Sequence, residues 1–406
     1  MNNVHTETEP LKHLETVRRR AHAMLALARE GALAHFEYHD EKRLPTALFV
    51  AEVTKTRYPT LEVPPHTRWR HFEMAGIDRI APLCAGMSAR DRGRMLTEIA
   101  LISVLLDAGA GKDWSFMEAE SGMRYSRSEG LALAALKLFK SGHLSSEPGL
   151  VLQADAKALQ ALDANTLAEV FQVSDTNPLT GLEGRAALLR RLGARIEAAP
   201  EYFGSGGRAG GLFDVLSEKA DTGRLSVKVL FRTLLDALAP IWPARLQYAG
   251  ESLGDVWTHK ALQSADPLSA FVPFHKLTQW LTGTMVEALE HAHITVLDTE
   301  CLTGLAEYRN GGLFLDTGLL TLRDKAAQAR VYCPEDELVV EWRALTVALL
   351  DEVAESVREV LGKTSDELPL PAVLQGGTWE AGRRIARQMR PDGTPPLQVI
   401  SDGTLF

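Results

Sequence analysis

Cysteine is scarce in this sequence. There are three in 406 residues, Cys84, Cys301 and Cys333, and none forms a C-x-x-C pair. That excludes a disulfide-stapled scaffold, and it predicts reduced thiols in a cytoplasmic protein. Long apolar runs are also missing. The longest nearly apolar stretch, "IALISVLL" at 99–106, is far too short to span a bilayer. The N-terminal "MNNVHTETEPLKHLE" lacks the apolar core of a secretory signal, so a soluble chain with no membrane partner is expected. Nor is there a basic excess: Lys and Arg number 44 against 53 Asp and Glu, a formal net charge of −9. Nothing demands a basic face for counterion release, and nucleic acid is not an expected partner. The tightest basic cluster, Arg18-Arg19-Arg20, reads as solvated.

Familiar catalytic signatures are absent too. His35 and His39 are four apart but no H-E-x-x-H frames them, and there is no G-x-S-x-G elbow. No metal and no cofactor are expected. "GSGGRA" at 204–209 fits G-x-G-x-x-A formally, but "RIEAAPEYF", a helix tail, precedes it where a dinucleotide site needs a strand. What remains is a plain loop, or a nest of glycine amides with Arg208 that holds a phosphate ahead of a helix. "GAGKD" at 109–113 lacks the rest of a Walker loop and reads as a helix cap and turn.

What is present is helical periodicity. Leu11, Leu14, Val17, Ala21, Met24, Leu25, Ala28 and Ala32 form one apolar stripe, with Pro10 in its first turn. Residues 43–76, with prolines at 45, 59, 64 and 65, read as extended structure or ordered loop. Ser88 with Asp91 resembles an N-cap pair opening a buried helix to about Gly109. Helices follow near 226–239 and 267–291, and a long one from 338 ends at Gly362. Residues 294–322 read as short strands or turns. With no repeat and no regular β–α alternation, the chain is expected to be mainly α with minor β. The expected division is an N-terminal helical lobe at 1–150 and a C-terminal helical lobe with short strands at 151–406, parted near 143–154.

Three polar clusters stand out. In "FHKLTQW" at 274–280, Lys276, Gln279 and Trp280 lie about a turn apart, as a binding face or a solvated flank. In "CLTGLAEYRNGGLFLD" at 301–316, Glu307, Tyr308 and Arg309 precede Asn-Gly-Gly, as the wall of a site or a solvated turn. In "VVEWRA" at 339–344, Glu341 and Arg343 lie among apolar neighbours, where burial requires pairing, as a site or a structural ion pair.

"NPLTGLEGRAALLRRLG" (177–193), "FHKLTQWLT" (274–282), "LTGLAEYRNGGL" (302–313) and the closing "GGTWEAGR…RPDGTPPL…SDGT" resemble the uracil-catabolism protein family, the fourth protein of the URC pyrimidine-degradation route, over essentially the whole chain. A more distant similarity links Lys276 to Gln279, then Ala306-Glu307-Tyr308-Arg309, then Glu341-Trp-Arg343-Ala344, to the queuosine-salvage N-glycosylase family. Its members have aspartate at the Glu307 position and a bulkier segment at Asn-Gly-Gly. The resemblance implies a two-lobed helical fold like helix-hairpin-helix glycosylases, and cleavage of an N-glycosidic bond to a ribose phosphate.

For such a reaction Glu307 is the expected carboxylate facing the sugar, with Asp316 as a second base. Lys276 and Arg309 suit a 5-phosphate, joined by Arg208 if the glycine loop is a nest. Tyr308 suits the sugar, and Glu341 and Arg343 the leaving group or catalytic acid. Gln279, Asp214 and Trp257 are further pocket candidates. A ribosylurea, 5-phosphorylated, is the expected small-molecule substrate, and a GTP-cyclohydrolase-like ring-opening enzyme is the expected functional partner. The alternatives are an amidohydrolase acting on the ring-opened nucleotide and a non-catalytic partner of the ring-opening enzyme.

Overall fold

The structure is a computed structural model that describes residues 7–243 and 245–400. The first six residues and the closing "SDGT" lie outside the described residues. Helices hold 56% of the described residues, which makes the fold mainly α with minor β. The longer helices are α1 (Leu14–Arg29), α2 (Arg43–Arg57), α3 (Ala89–Leu105), α4 (Arg127–Lys140), α5 (Leu182–Ala198), α6 (Gly211–Lys219), α7 (Val227–Leu238), α8 (Lys276–His291), α9 (Tyr308–Asp316), α10 (Glu337–Leu361) and α11 (Trp379–Met389). Among the described residues every sheet is a two-stranded ribbon.

Two compact units emerge, neither continuous in sequence. Among the described residues, the first gathers 7–66, 245–276 and 300–400; the second gathers 67–243 and 277–299. The stretch 143–154 runs through the interior of the second unit's longest segment.

In the first unit α10 is the axis. It is apolar nearly all round, with Leu338, Val339, Trp342, Leu345, Leu349, Val353 and Val357 buried, as a helix packed on several sides must be. α1 and α2 pack on it, and α9 packs on both α10 and α11. The α1 stripe is buried as its spacing predicts, at Leu14, Val17, Ala21, Met24, Leu25 and Ala28. Pro10 and Leu11, however, belong to a separate 3-10 turn, Glu9–Lys12, because His13 is extended (φ −101°, ψ 136°) and breaks the helix. The neighbouring arginines are not merely solvated. Arg18 donates to Asp351 and to the carbonyl of Leu302, and Arg20 to the carbonyl of Leu268.

Residues 43–57 are helix rather than extended chain. Pro45 sits in the first turn of α2, where no intrahelical N–H bond is lost. Residues 267–275 are not helix. Phe271–Pro273 pairs antiparallel with Val256–Thr258, and α8 starts only at Lys276. The tail pairs as a strand, Gln398–Val399, beside Val331–Tyr332. α10 ends at Gly362, whose φ of 64° closes the helix in the left-handed region.

The second unit has its own core around α3, α4 and α5. Ser88 caps α3 as expected: its Oγ accepts the Asp91 N–H at 3.1 Å and donates to the Asp91 carboxylate at 2.7 Å. From Met95 to Leu105 every α3 residue is buried.

Candidate functional site

The Asn-Gly-Gly of the 301–316 motif is not a turn. It lies in the first turn of α9, and Glu307 is that helix's N-cap: its carboxylate accepts the N–H of Arg309 at 2.6 Å and of Asn310 at 2.7 Å. Glycine is needed for packing. A Cβ on Gly311 would lie 2.7 Å from the Trp342 ring and 2.8 Å from Thr346 Oγ1. The same closeness lets the Trp342 indole donate to the Gly311 carbonyl at 3.1 Å.

Glu307 is half-buried, and burial raises its pKa to about 7 against the opposing pull of the Asn310 N–H and the Lys276 charge. Lys276 begins α8 and faces Glu307 closely enough to act on its charge.

A third group, Asp255, holds this arrangement. The Arg343 guanidinium grips its carboxylate with two bonds of 2.8 and 2.9 Å. The Trp257 indole adds a bond of 2.8 Å and the Lys276 backbone N–H one of 3.0 Å. Burial alone would raise the Asp255 pKa, but the Arg343 charge and these donors hold it well below the usual carboxylate range. Arg343 also lies over the Phe274 ring, 4.0 Å from its centroid, and its Nε donates at 3.4 Å to the carbonyl of Ala306, the residue before Glu307. One buried carboxylate–guanidinium pair thus ties the start of α8 to the approach to α9.

The backbone enters α8 through His275 at φ 46°, a conformation costly for a residue with a Cβ. It is pinned there: the His275 N–H donates to the Asp255 carbonyl and its ring Nε2 to the Leu11 carbonyl at 2.8 Å. Burial lowers the pKa of this imidazole.

Glu341 and Arg343 do not pair with each other. Glu341 is fully buried and accepts the Phe36 N–H at 2.9 Å and His259 Nε2 at 3.1 Å. His259 Nδ1 accepts the Ala261 N–H, so Nε2 is the nitrogen that carries the proton to Glu341.

Arg309 is buried. Its guanidinium lies 5.0 Å from the Tyr308 ring centroid and donates to the Gly393 carbonyl at 3.0 Å, and no carboxylate partners it among the described residues. Asn310 is buried too, with its Oδ1 unpartnered.

The remaining candidates lie elsewhere. Asp316, at the other end of α9, is held by both Nη atoms of Arg390. Gln279 is buried one turn into α8, in the part of the helix that belongs to the second unit. Arg208 and Asp214 also belong to that unit. The glycine loop does gather round an anion, but the anion is internal: the Glu98 carboxylate accepts Arg208 Nε at 2.6 Å and the Gly210 N–H at 2.9 Å. Burial raises the Glu98 pKa to about 7, outweighing that pairing. Asp214 accepts from Arg90 and Arg94.

Sequence reasoning missed Asp255, His259 and His275. A signal existed for the first two: in "GDVWTH" Asp255, Trp257 and His259 recur every second residue, one face of the strand Val256–Thr258. Among the described residues no group of three or more His, Cys, Asp or Glu side chains is placed to hold a metal ion.

The family described as "Protein of unknown function (DUF1688)" matches residues 10–406. The chain belongs to this family. It is 40% identical over 415 residues to "Protein urg3" of Schizosaccharomyces pombe, covering 99% of this chain and all of that relative. It is 37% identical over 412 residues to "Uracil catabolism protein 4" of Lachancea kluyveri, covering 93% of each.

Proposed function

We propose that this protein acts in uracil catabolism as an N-glycosidic hydrolase, cleaving a ribosylurea-type intermediate, 5-phosphorylated, to urea and ribose phosphate. The relative named for uracil catabolism supports the pathway. The observation that carries the chemistry is Glu307: a half-buried carboxylate of raised pKa at the start of α9, with the Lys276 charge beside it.

Breaking a ribosyl C–N bond builds positive charge on the sugar. Ionised Glu307 stabilises that charge and orients the attacking water. Two backbone N–H groups fix its position, so little reorganisation is needed as charge develops. Lys276 and Arg309 supply the anion grip. Arg309 supports this role because it is buried with no carboxylate partner among the described residues, and a buried guanidinium without a counter-charge costs several kcal/mol, on the order of 3–5, unless an anion joins it. Tyr308, under Arg309, offers its ring to the sugar. Asp255 and Arg343 set Lys276 and Glu307 in register.

The test is turnover of N-ribosylurea 5-phosphate by wild type and by Glu307→Gln. The proposal expects a rate loss of roughly 100-fold or more in the variant, with the fold intact. Equal turnover by the two proteins overturns the role of Glu307.

A further inference from the structure

Within the second unit lies a cavity of about 700 Å³, a volume typical of small-molecule sites. Its walls come from the 3-10 turn Arg68–Phe72, the short helix Ala81–Cys84, the first turns of α3 and the last turns of α8. Trp69 forms one wall, its indole fixed by donation to the Thr284 carbonyl at 2.8 Å, and buried Leu96 forms another.

Most charges here are already committed. Arg70 pairs with Glu287 and Glu73. The Asp78 carboxylate accepts the N–H groups of Ile80 and Ala81. Arg92, in the first turn of α3, is different. Among the described residues its side chain has no hydrogen bond and no ion pair, and its Nε is buried without a partner. The Nε of Arg70, on the same cavity, is buried without a partner as well. A guanidinium N–H drawn from water and left without an acceptor is costly, and an oxyanion on Arg92 answers that cost best because it can accept the Nε–H and a neighbouring Nη–H at once.

We propose that this cavity binds a small metabolite that carries one oxyanion, a phosphate or a carboxylate, on Arg92, with a flat or apolar body against Trp69 and Leu96. Glu73, Asp78 and Glu287 outnumber Arg70 and Arg92 on the walls, so they repel a polyphosphate and accept N–H or O–H donors from the ligand instead. The site is independent of the reaction proposed at Glu307 and uses none of its residues.

The test is calorimetric titration of the intact protein with inorganic phosphate, ribose 5-phosphate, uridine 5′-monophosphate, benzoate and ATP. The phosphates against benzoate decide which oxyanion the site takes. The proposal expects at least one monoester or carboxylate to bind saturably, with Kd raised tenfold or more by Arg92→Ala and partly restored by Arg92→Lys. ATP should bind more weakly, and Lys276→Ala should leave this binding unchanged. The ligand should also quench Trp fluorescence in wild type but not in Trp69→Phe, a readout that stands if Arg92→Ala fails to fold. No saturable binding by any probe overturns the proposal. So does equal affinity in folded Arg92→Ala, or quenching that persists in Trp69→Phe.

Discussion

Glu307 does two things at once. It caps α9, and it presents a carboxylate whose burial raises its pKa from the ordinary 4.5 to about 7. These pull in opposite directions with pH. The folded value lies above the unfolded one, so the protonated form's contribution to stability is complete below about 4.5 and is lost as pH rises through about 7. The reaction proposed needs the ionised form, so kcat/KM should rise with pH to a plateau, with a midpoint near 7 that disappears in Glu307→Gln. A flat profile from pH 5 to 9 contradicts this. Arg208 offers a second residue-scale check. In Arg208→Ala the buried Glu98 carboxylate loses its partner, which should destabilise the protein by about 3–5 kcal/mol where Glu98 is ionised. With a folded Glu98 pKa of about 7, raised further in the variant, the loss should be larger at pH 8 than at pH 5, where the group is protonated. Urea unfolding at the two pH values measures it. If Arg208 gripped a substrate phosphate instead, KM would rise and stability would stay.

At the scale of elements, the approach of α9 to α10 is set by a single missing side chain. Gly311→Ala puts a carbon 2.7 Å from the Trp342 ring. It should destabilise by about 1–3 kcal/mol, seen as a lower denaturation midpoint, and it should lower turnover because Glu307 starts the displaced helix. A neutral Gly311→Ala contradicts the packing account. The same glycines show where the sequence was legible and where it was not. Read locally, Asn-Gly-Gly is turn chemistry; only the tertiary contact with Trp342 explains why it is helix. α2 misled in the same way, because a cluster of prolines hid that Pro45 occupies the one part of a helix that tolerates it. The α1 stripe, the Ser88 cap and the Gly362 stop were readable because each depends on residues within a turn or two of one another. Asp255 was not, because its partners Arg343 and Lys276 are 88 and 21 residues away.

At the scale of the whole molecule, each unit is assembled from separated segments. The first unit needs residues 7–66 together with 245–276 and 300–400. α1 and α2 find their packing partner in α10, which begins 308 and 280 residues after they end. A chain ending at residue 150 should therefore show no cooperative thermal unfolding, since α1 and α2 would expose their apolar faces. A sharp calorimetric transition for that fragment contradicts this division. The chain's family membership and full-length similarity to a protein named for uracil catabolism set the pathway in which its chemistry is sought. The most direct test is product analysis: purified protein is incubated with N-ribosylurea 5-phosphate and the products are resolved by mass spectrometry. The account predicts free urea and ribose 5-phosphate in equal amounts. A product that keeps the bond between ribose and nitrogen, with carbon dioxide and ammonia released, would contradict it.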